Sequence, residues 1–197
     1  YWAVDHNIFK EKTDSVFGNG YIEYLANIRE NMNLKVRYQL GMDAYSTHLQ
    51  DVFEFGHAGK TGIIDNYGVT NSTVNSLLTA NFVWKITDDL NLNALLGNEF
   101  NQDYTKTYSE HGGGFNFGGW ANIQKDNIVT ANESKDKYRT VGTFGSLSLD
   151  WKSIRFLSAT GRNDVVSQMP RNSRSFFYPS VSLGFVASEL NALKESK

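Results

Sequence analysis

Between residues 34 and 44 the chain alternates almost without a break. Leu34, Val36, Tyr38, Leu40, Met42 and Ala44 fall on one side, and Lys35, Arg37, Gln39, Gly41 and Asp43 on the other. Successive side chains of a strand point to opposite faces, so this pattern predicts a strand with one apolar and one polar face. The same pattern recurs along the chain in runs longer than the usual five or six residues. A soluble sandwich rarely needs strands of that length, whereas a wall between oil and water does.

Composition narrows the classes. The chain has 197 residues, with Lys+Arg 19 against Asp+Glu 21 and a formal charge of −2. That balance excludes a general nucleic-acid binder, so no nucleic-acid partner is expected. Aromatics make up 14%, Gly is 17 and Pro only 2, which suits a β-rich fold rather than disorder. Cysteine is absent, which removes disulfides and thiolate metal sites. No apolar run approaches the roughly 20 residues of a membrane helix, and the mean hydropathy is −0.42. Membrane strands escape both tests, because they show alternation and never a solid apolar block. The opening Tyr1-Trp2-Ala3-Val4 has neither an initiator Met nor a signal-like stretch, as expected of an internal piece of a longer protein.

Alternation and turn chemistry predict about seven long strands, at residues 16–28, 34–53, 73–86, 90–109, 137–151, 154–163 and 176–187. The expected fold is all-β, an antiparallel up-and-down meander. Short turns at 29–33, 87–89 and 152–153 carry the Asn/Asp/Ser residues that tight turns favour. Long polar or glycine-rich connections at 54–72, 110–136 and 164–175 alternate with them. Outer-membrane barrels have this asymmetry, with short periplasmic turns and longer outside loops.

Aromatics fit the same arrangement. Tyr24, Trp84, Trp151 and Phe156 lie near the short turns, and Tyr45, Tyr104, Tyr108, Tyr138 and Phe176-Phe177-Tyr178 near the long connections. Membrane interfaces select such girdles, although any sheet is enriched in aromatics. Further apolar rows are Leu78, Ala80, Phe82, Trp84 and Ile86, then Leu92, Ala94 and Leu96. Val141, Thr143, Gly145, Leu147, Leu149 and Trp151 follow, opposite the small polar set Thr140, Gly142, Ser146, Ser148 and Asp150. The sixth strand breaks the rule, with Arg155 beside Phe156.

The run Arg174-Ser175-Phe176-Phe177-Tyr178-Pro179-Ser180-Val181-Ser182-Leu183-Gly184-Phe185-Val186 resembles the barrel signature of SusC/RagA-type TonB-dependent outer-membrane transporters. Leu147-Ser148-Leu149-Asp150-Trp151-Lys152 and Phe156-Leu157-Ser158-Ala159-Thr160-Gly161-Arg162-Asn163-Asp164 resemble the preceding strands, and Tyr1-Trp2-Ala3 an upstream aromatic segment. The resemblance is strongest over 144–186. It implies residence in the cell outer membrane and import of a nutrient, a glycan or peptide, through a barrel of about 22 strands closed by a plug. The implied partners are outer-membrane lipid, a SusD-like lipoprotein lid, and TonB acting through other parts of the protein. Residues 1–197 would then be one part of the barrel, without the plug, the TonB-contacting segment or the terminal strands. Excised, such a piece has two unpaired edges through which it would self-associate. The signature positions are Phe176, Phe177, Tyr178, Pro179, Ser180, Leu183, Gly184 and Phe185. Phe177, Val181, Leu183 and Phe185 are expected to face lipid, and Tyr178, Ser180, Ser182 and Gly184 the lumen. Tyr24, Trp84, Trp151 and Phe177 are the expected lipid-interface girdle. Proline cannot donate to a ladder, so Pro179 predicts a local irregularity.

Catalytic patterns find little support. His111-Gly112-Gly113-Gly114 is similar to an esterase oxyanion loop, but that chemistry needs a Gly-x-Ser-x-Gly elbow, which is missing. The expectation is a glycine-rich loop tip. His6, His48, His57 and His111 have no metal-binding spacing, and the glycine runs lack phosphate-loop spacing. No enzyme, metal or cofactor is expected. Asn71-Ser72-Thr73 and Asn132-Glu133-Ser134 are glycosylation sequons of little weight in a bacterial-looking chain. Phe115, Phe117 and Trp120, in the longest expected loop, suit stacking on sugar rings or contact with a partner. Packing against neighbouring loops is the plainer alternative. The rival to the barrel is a soluble or surface-anchored β-sheet carbohydrate-binding module, whose apolar rows would pack on a second sheet. A barrel enzyme is a third reading, disfavoured because no nucleophile–base pair appears.

Overall fold

The computed structural model describes residues 5–54, 56, 61–120 and 122–187. The aromatic segment Tyr1-Trp2-Ala3 lies outside them. Seven strands follow in chain order: β1 Ile8–Arg29, β2 Met32–Phe53, β3 Ile63–Thr87, β4 Leu90–Phe115, β5 Asp126–Trp151, β6 Arg155–Val166 and β7 Ser175–Phe185. They form one antiparallel up-and-down sheet in the order β1-β2-β3-β4-β5-β6-β7. A 3-10 turn, Ile123–Lys125, precedes β5, and the Asn122 side chain accepts from the Gln124 N–H to cap it.

β1, β3, β4 and β5 are longer than the alternation predicts, so the expected connections at 54–72 and 110–136 shrink to 54–62 and 116–125. The added lengths lack a clean apolar–polar alternation, and polar cross-strand pairs help hold them. Thr13 bonds Thr47 at 2.8 Å, Ser46 bonds Thr70 at 3.0 Å, and Asn71 donates to Thr105 at 2.9 Å. Thr73 donates to Asp103 at 2.9 Å. Such pairs stabilise a sheet as apolar ones do but leave no hydrophobic period to read. His111-Gly112-Gly113-Gly114 is therefore not a loop tip: it runs inside β4. There Gly112 is required, because a Cβ would lie 1.8 Å from Asp126 Oδ2.

Two compact units share these strands. The first comprises residues 1–18, 42–73 and 103–137. It contains the fully buried apolar cluster of Val52, Ile64 and Phe115, flanked by Ile8 and Ile123. Phe9 meets Phe53 edge-on beside β1 and β2, with centroids 5.6 Å apart. Phe115, expected on a loop, is the last residue of β4 and belongs to this core. Its side chain closes over Gly62, where a Cβ would come within 2.5 Å of the ring.

The second unit comprises residues 19–41, 74–102 and 138–197. Its registers assign faces residue by residue, since directly opposed residues share a face. Trp151, Arg155 and Phe185 form one row, Leu149, Leu157 and Leu183 the next, then Leu147, Ala159 and Val181. The opposite face carries Ser148, Ser158 and Ser182, then Ser146, Thr160 and Ser180. The β5–β6 turn is a tight three-residue reversal over residues 152–154. Lys152 and Ser153 have φ of 57° and 54°, and Asp150 Oδ1 accepts from the Ser153 N–H.

The irregularity expected at Pro179 does not occur: the β6–β7 register runs unbroken through Gly161↔Pro179. Val166 N–H donates to Arg174 O and Val186 N–H to Ile154 O, which makes the even-numbered β6 positions the hydrogen-bonded ones. Gly161↔Pro179 is thus a non-bonded pair. The donor that proline lacks belongs to the side of β7 turned away from β6, so the β6–β7 ladder loses no bond.

Candidate functional site

The second unit presents two chemically opposite faces. On the apolar one, Leu183 is 82% exposed, Val181 72% and Phe177 66%, so this face has no cover among the described residues. Tyr24 and Trp151 are also exposed and Trp84 is half-buried. Arg155 sits in the apolar row and stacks on Trp151, its guanidinium carbon 4.4 Å from the ring centroid. Phe156 takes the polar face opposite Asp150, beside Gly184. The register thus accounts for the odd reading of the sixth strand.

Arg162 is the hub of the polar face. Its Nη2 donates to Glu99 Oε2 at 2.8 Å and its Nε to Asp164 Oδ1 at 2.8 Å. The guanidinium also lies 5.5 Å from the Phe144 ring centroid. Two glycines make room. A Cβ on Gly142 would lie 2.5 Å from Arg162 Nη2, and one on Gly97 would lie 2.2 Å from the Phe144 ring. On the face of the leucine rows, nearer the long connections, Asn98 donates to Thr143 at 2.9 Å and Arg139 to Gln102 at 2.8 Å, whereas on the Arg162 face Asn75 donates to Asn101. This surface is a hydrogen-bonded polar wall, built to meet water.

The first unit holds a polar cleft of about 710 Å³ lined by residues of β1 to β5, among them Lys10, Lys12, His48, Tyr108 and Glu133. His48 Nδ1 pairs with Tyr108 Oη at 2.8 Å, and the Tyr108 ring lies against Gly68. Gln50 donates to Asn66 at 3.0 Å, and Asn66 to Glu110 at 3.3 Å. Glu133 takes Lys106 at 2.7 Å and also Lys135, and their hydrogen bonds hold its carboxyl down at about 2. Partial burial, then its hydrogen bond to Asp51, raises the Tyr67 phenol. Both charge signs and several amides converge here, so the cleft suits a polar ligand rather than a simple ion.

The aromatic trio divides. Phe115 is core, whereas Phe117 and Trp120 are exposed and stack on each other, centroids 6.0 Å apart and planes 7° from parallel. Between them in the chain, Gly119 donates its N–H to Glu54 Oε1 at 3.3 Å from a backbone at φ 83°. Sequence reasoning missed Arg162, Glu99 and the Lys106–Glu133–Lys135 cluster. Only Arg162 and Asp164, two apart and therefore on one strand face, leave a trace in the sequence. Among the described residues no cluster of side chains could hold a metal ion.

No family model and no curated protein matches the chain. Solved structures do. A chain of the RagAB peptide transporter, 16% identical, superposes with a TM-score of 0.83 over 94% of this chain and 21% of that one. The RagAB peptide importer in its closed-closed state gives 16% identity and a TM-score of 0.84, over 95% and 21% of the two chains. Its open-open state gives 17% and 0.79, over 90% and 20%. The likeness is one of fold. The chain spans about a fifth of the length of the chains it matches.

Proposed function

We propose that these seven strands are part of the β-barrel wall of an outer-membrane, TonB-dependent nutrient importer of the SusC/RagA type. The carrying observation is the uncovered apolar face of β5–β7 backed by a polar, hydrogen-bonded face. A soluble domain of this length removes about 70% of its chain surface from water. Here the fully buried apolar side chains among the described residues are three. The carbohydrate-binding module would need a second sheet over the apolar rows, and the seven strands lie in one sheet. The likeness to RagAB chains supports the same reading.

In this proposal residues 141–151, 155–165 and 175–185 cross the bilayer with their apolar rows to lipid, and Arg162 and the serine rows line the water-filled side. Tyr24, Trp84, Trp151 and Phe177 sit at the lipid interface. Phe117 and Trp120 contact a SusD-like lipoprotein, and TonB acts on the periplasmic side through other parts of the protein. The imported nutrient is a peptide or a glycan, and the wall carries no catalysis. Single cysteines in the full-length protein test the central point. Leu183→Cys should react with a lipid-soluble maleimide and resist a charged one, and Ser182→Cys the reverse. Equal labelling of both positions would sink the proposal.

A further inference from the structure

Among the three apolar rows of β5–β7, which carry Leu147, Leu149, Trp151, Leu157, Leu183 and Phe185, one position bears a charge. Arg155 lies directly between Trp151 and Phe185. Its guanidinium stacks on Trp151, and among the described residues no carboxylate pairs with it. The nearby acids are otherwise engaged: Asp89 faces Lys152 at 3.6 Å, and Asp150 lies on the opposite face. Beside Arg155 runs a groove of about 560 Å³, lined almost wholly by apolar side chains including Leu90, Leu149, Leu157, Leu183 and Phe185.

An apolar groove ending in a guanidinium that no described carboxylate holds suits one occupant class, a hydrocarbon chain with an anionic head. We propose that this groove holds one acyl chain of a glycerophospholipid, with Arg155 clamping the phosphate and Trp151 fixing the guanidinium. Guanidinium presents a planar fork that phosphate accepts in two parallel hydrogen bonds. Tryptophan and arginine at the end of an apolar stripe place that fork at headgroup depth. Arg155 adjoins the short β5–β6 turn, and short turns mark the periplasmic side, which makes glycerophospholipid the source of the phosphate. The inference rests on the barrel-wall reading.

The test is native mass spectrometry of the full-length protein, titrated in detergent with phosphatidylglycerol, diacylglycerol or lipid A. Phosphatidylglycerol should be retained, with Arg155→Ala weakening it by about tenfold, the loss of a charge-assisted hydrogen bond. Arg155→Lys should fall between, and Lys35→Ala, whose side chain pairs with Glu23, should match the parent. Diacylglycerol bound as tightly, or Arg155→Ala retaining the lipid, overturns the phosphate clamp. Preference for lipid A overturns the choice of glycerophospholipid. Arg155→Gln, closer in size, repeats the test if the alanine variant does not fold. A protein that stays monodisperse without detergent refutes the wall itself, an outcome distinct from loss of the lipid site.

Discussion

Arg162 Nη2 lies 2.8 Å from Glu99 Oε2, joining β6 to β4 across the intervening β5. The guanidinium passes over β5 at Gly142, where a Cβ would sit 2.5 Å from Nη2 and 2.6 Å from Asp164 Oδ1. Three strands are therefore tied by one side chain through a gap that only glycine leaves. Gly142→Ala should displace the guanidinium and cost about 1–3 kcal/mol, as overpacking does. Both ion-pair partners are partly exposed, so lost packing supplies more of that cost than lost charge. In the full-length protein, denaturant unfolding of Gly142→Ala, Arg162→Ala and the double variant should be less than additive. Strict additivity would mean that the glycine does not serve the arginine.

Phe115 and Trp120, five positions apart, should respond oppositely to truncation. Phe115→Ala empties the centre of the Val52–Ile64 cluster and should cost about 3–5 kcal/mol. Trp120→Ala removes an exposed ring and should change stability by no more than about 0.5 kcal/mol. Under the proposed function it should instead weaken association with the lipoprotein and reduce uptake. Calorimetry and a pull-down on the same two variants read both effects. Unaltered association and uptake in Trp120→Ala would remove the contact role of the stacked pair.

What was legible in the sequence was whatever rested on hydrophobic period or local turn chemistry. The strand through Leu34–Ala44 was of this kind, as were the turn at Lys152-Ser153 and the opposite faces of the Phe176–Phe185 signature. The first part of β3 was not, because Asn66, Thr70 and Asn71 are held by partners on other strands. Arg162 was illegible for the same reason. Its role depends on Glu99 and on the absence of a side chain at residue 142, positions that only the strand register brings together. Pro179 misled because its consequence depends on which side of the strand carries the missing donor, a parity set by β6.

Acid should loosen the first unit through Glu133, which lies in β5 outside the proposed bilayer-crossing residues. The hydrogen bonds of Lys106, then Lys135, hold its carboxyl at about 2 in the folded chain against an ordinary 4.5. A depressed folded value means that the ionised form is favoured by folding. Its stabilisation is fully present above about pH 4.5 and is lost as pH falls from there towards about 2. Glu133→Gln removes the charge that both lysines use. Melting temperatures of the parent and Glu133→Gln should therefore differ by a constant amount above about pH 5, with the parent higher. The gap should close on acidification and narrow in high salt, because the cluster is open to water. A gap that stays constant down to pH values near 2 would show that the carboxylate is not held by the two lysines.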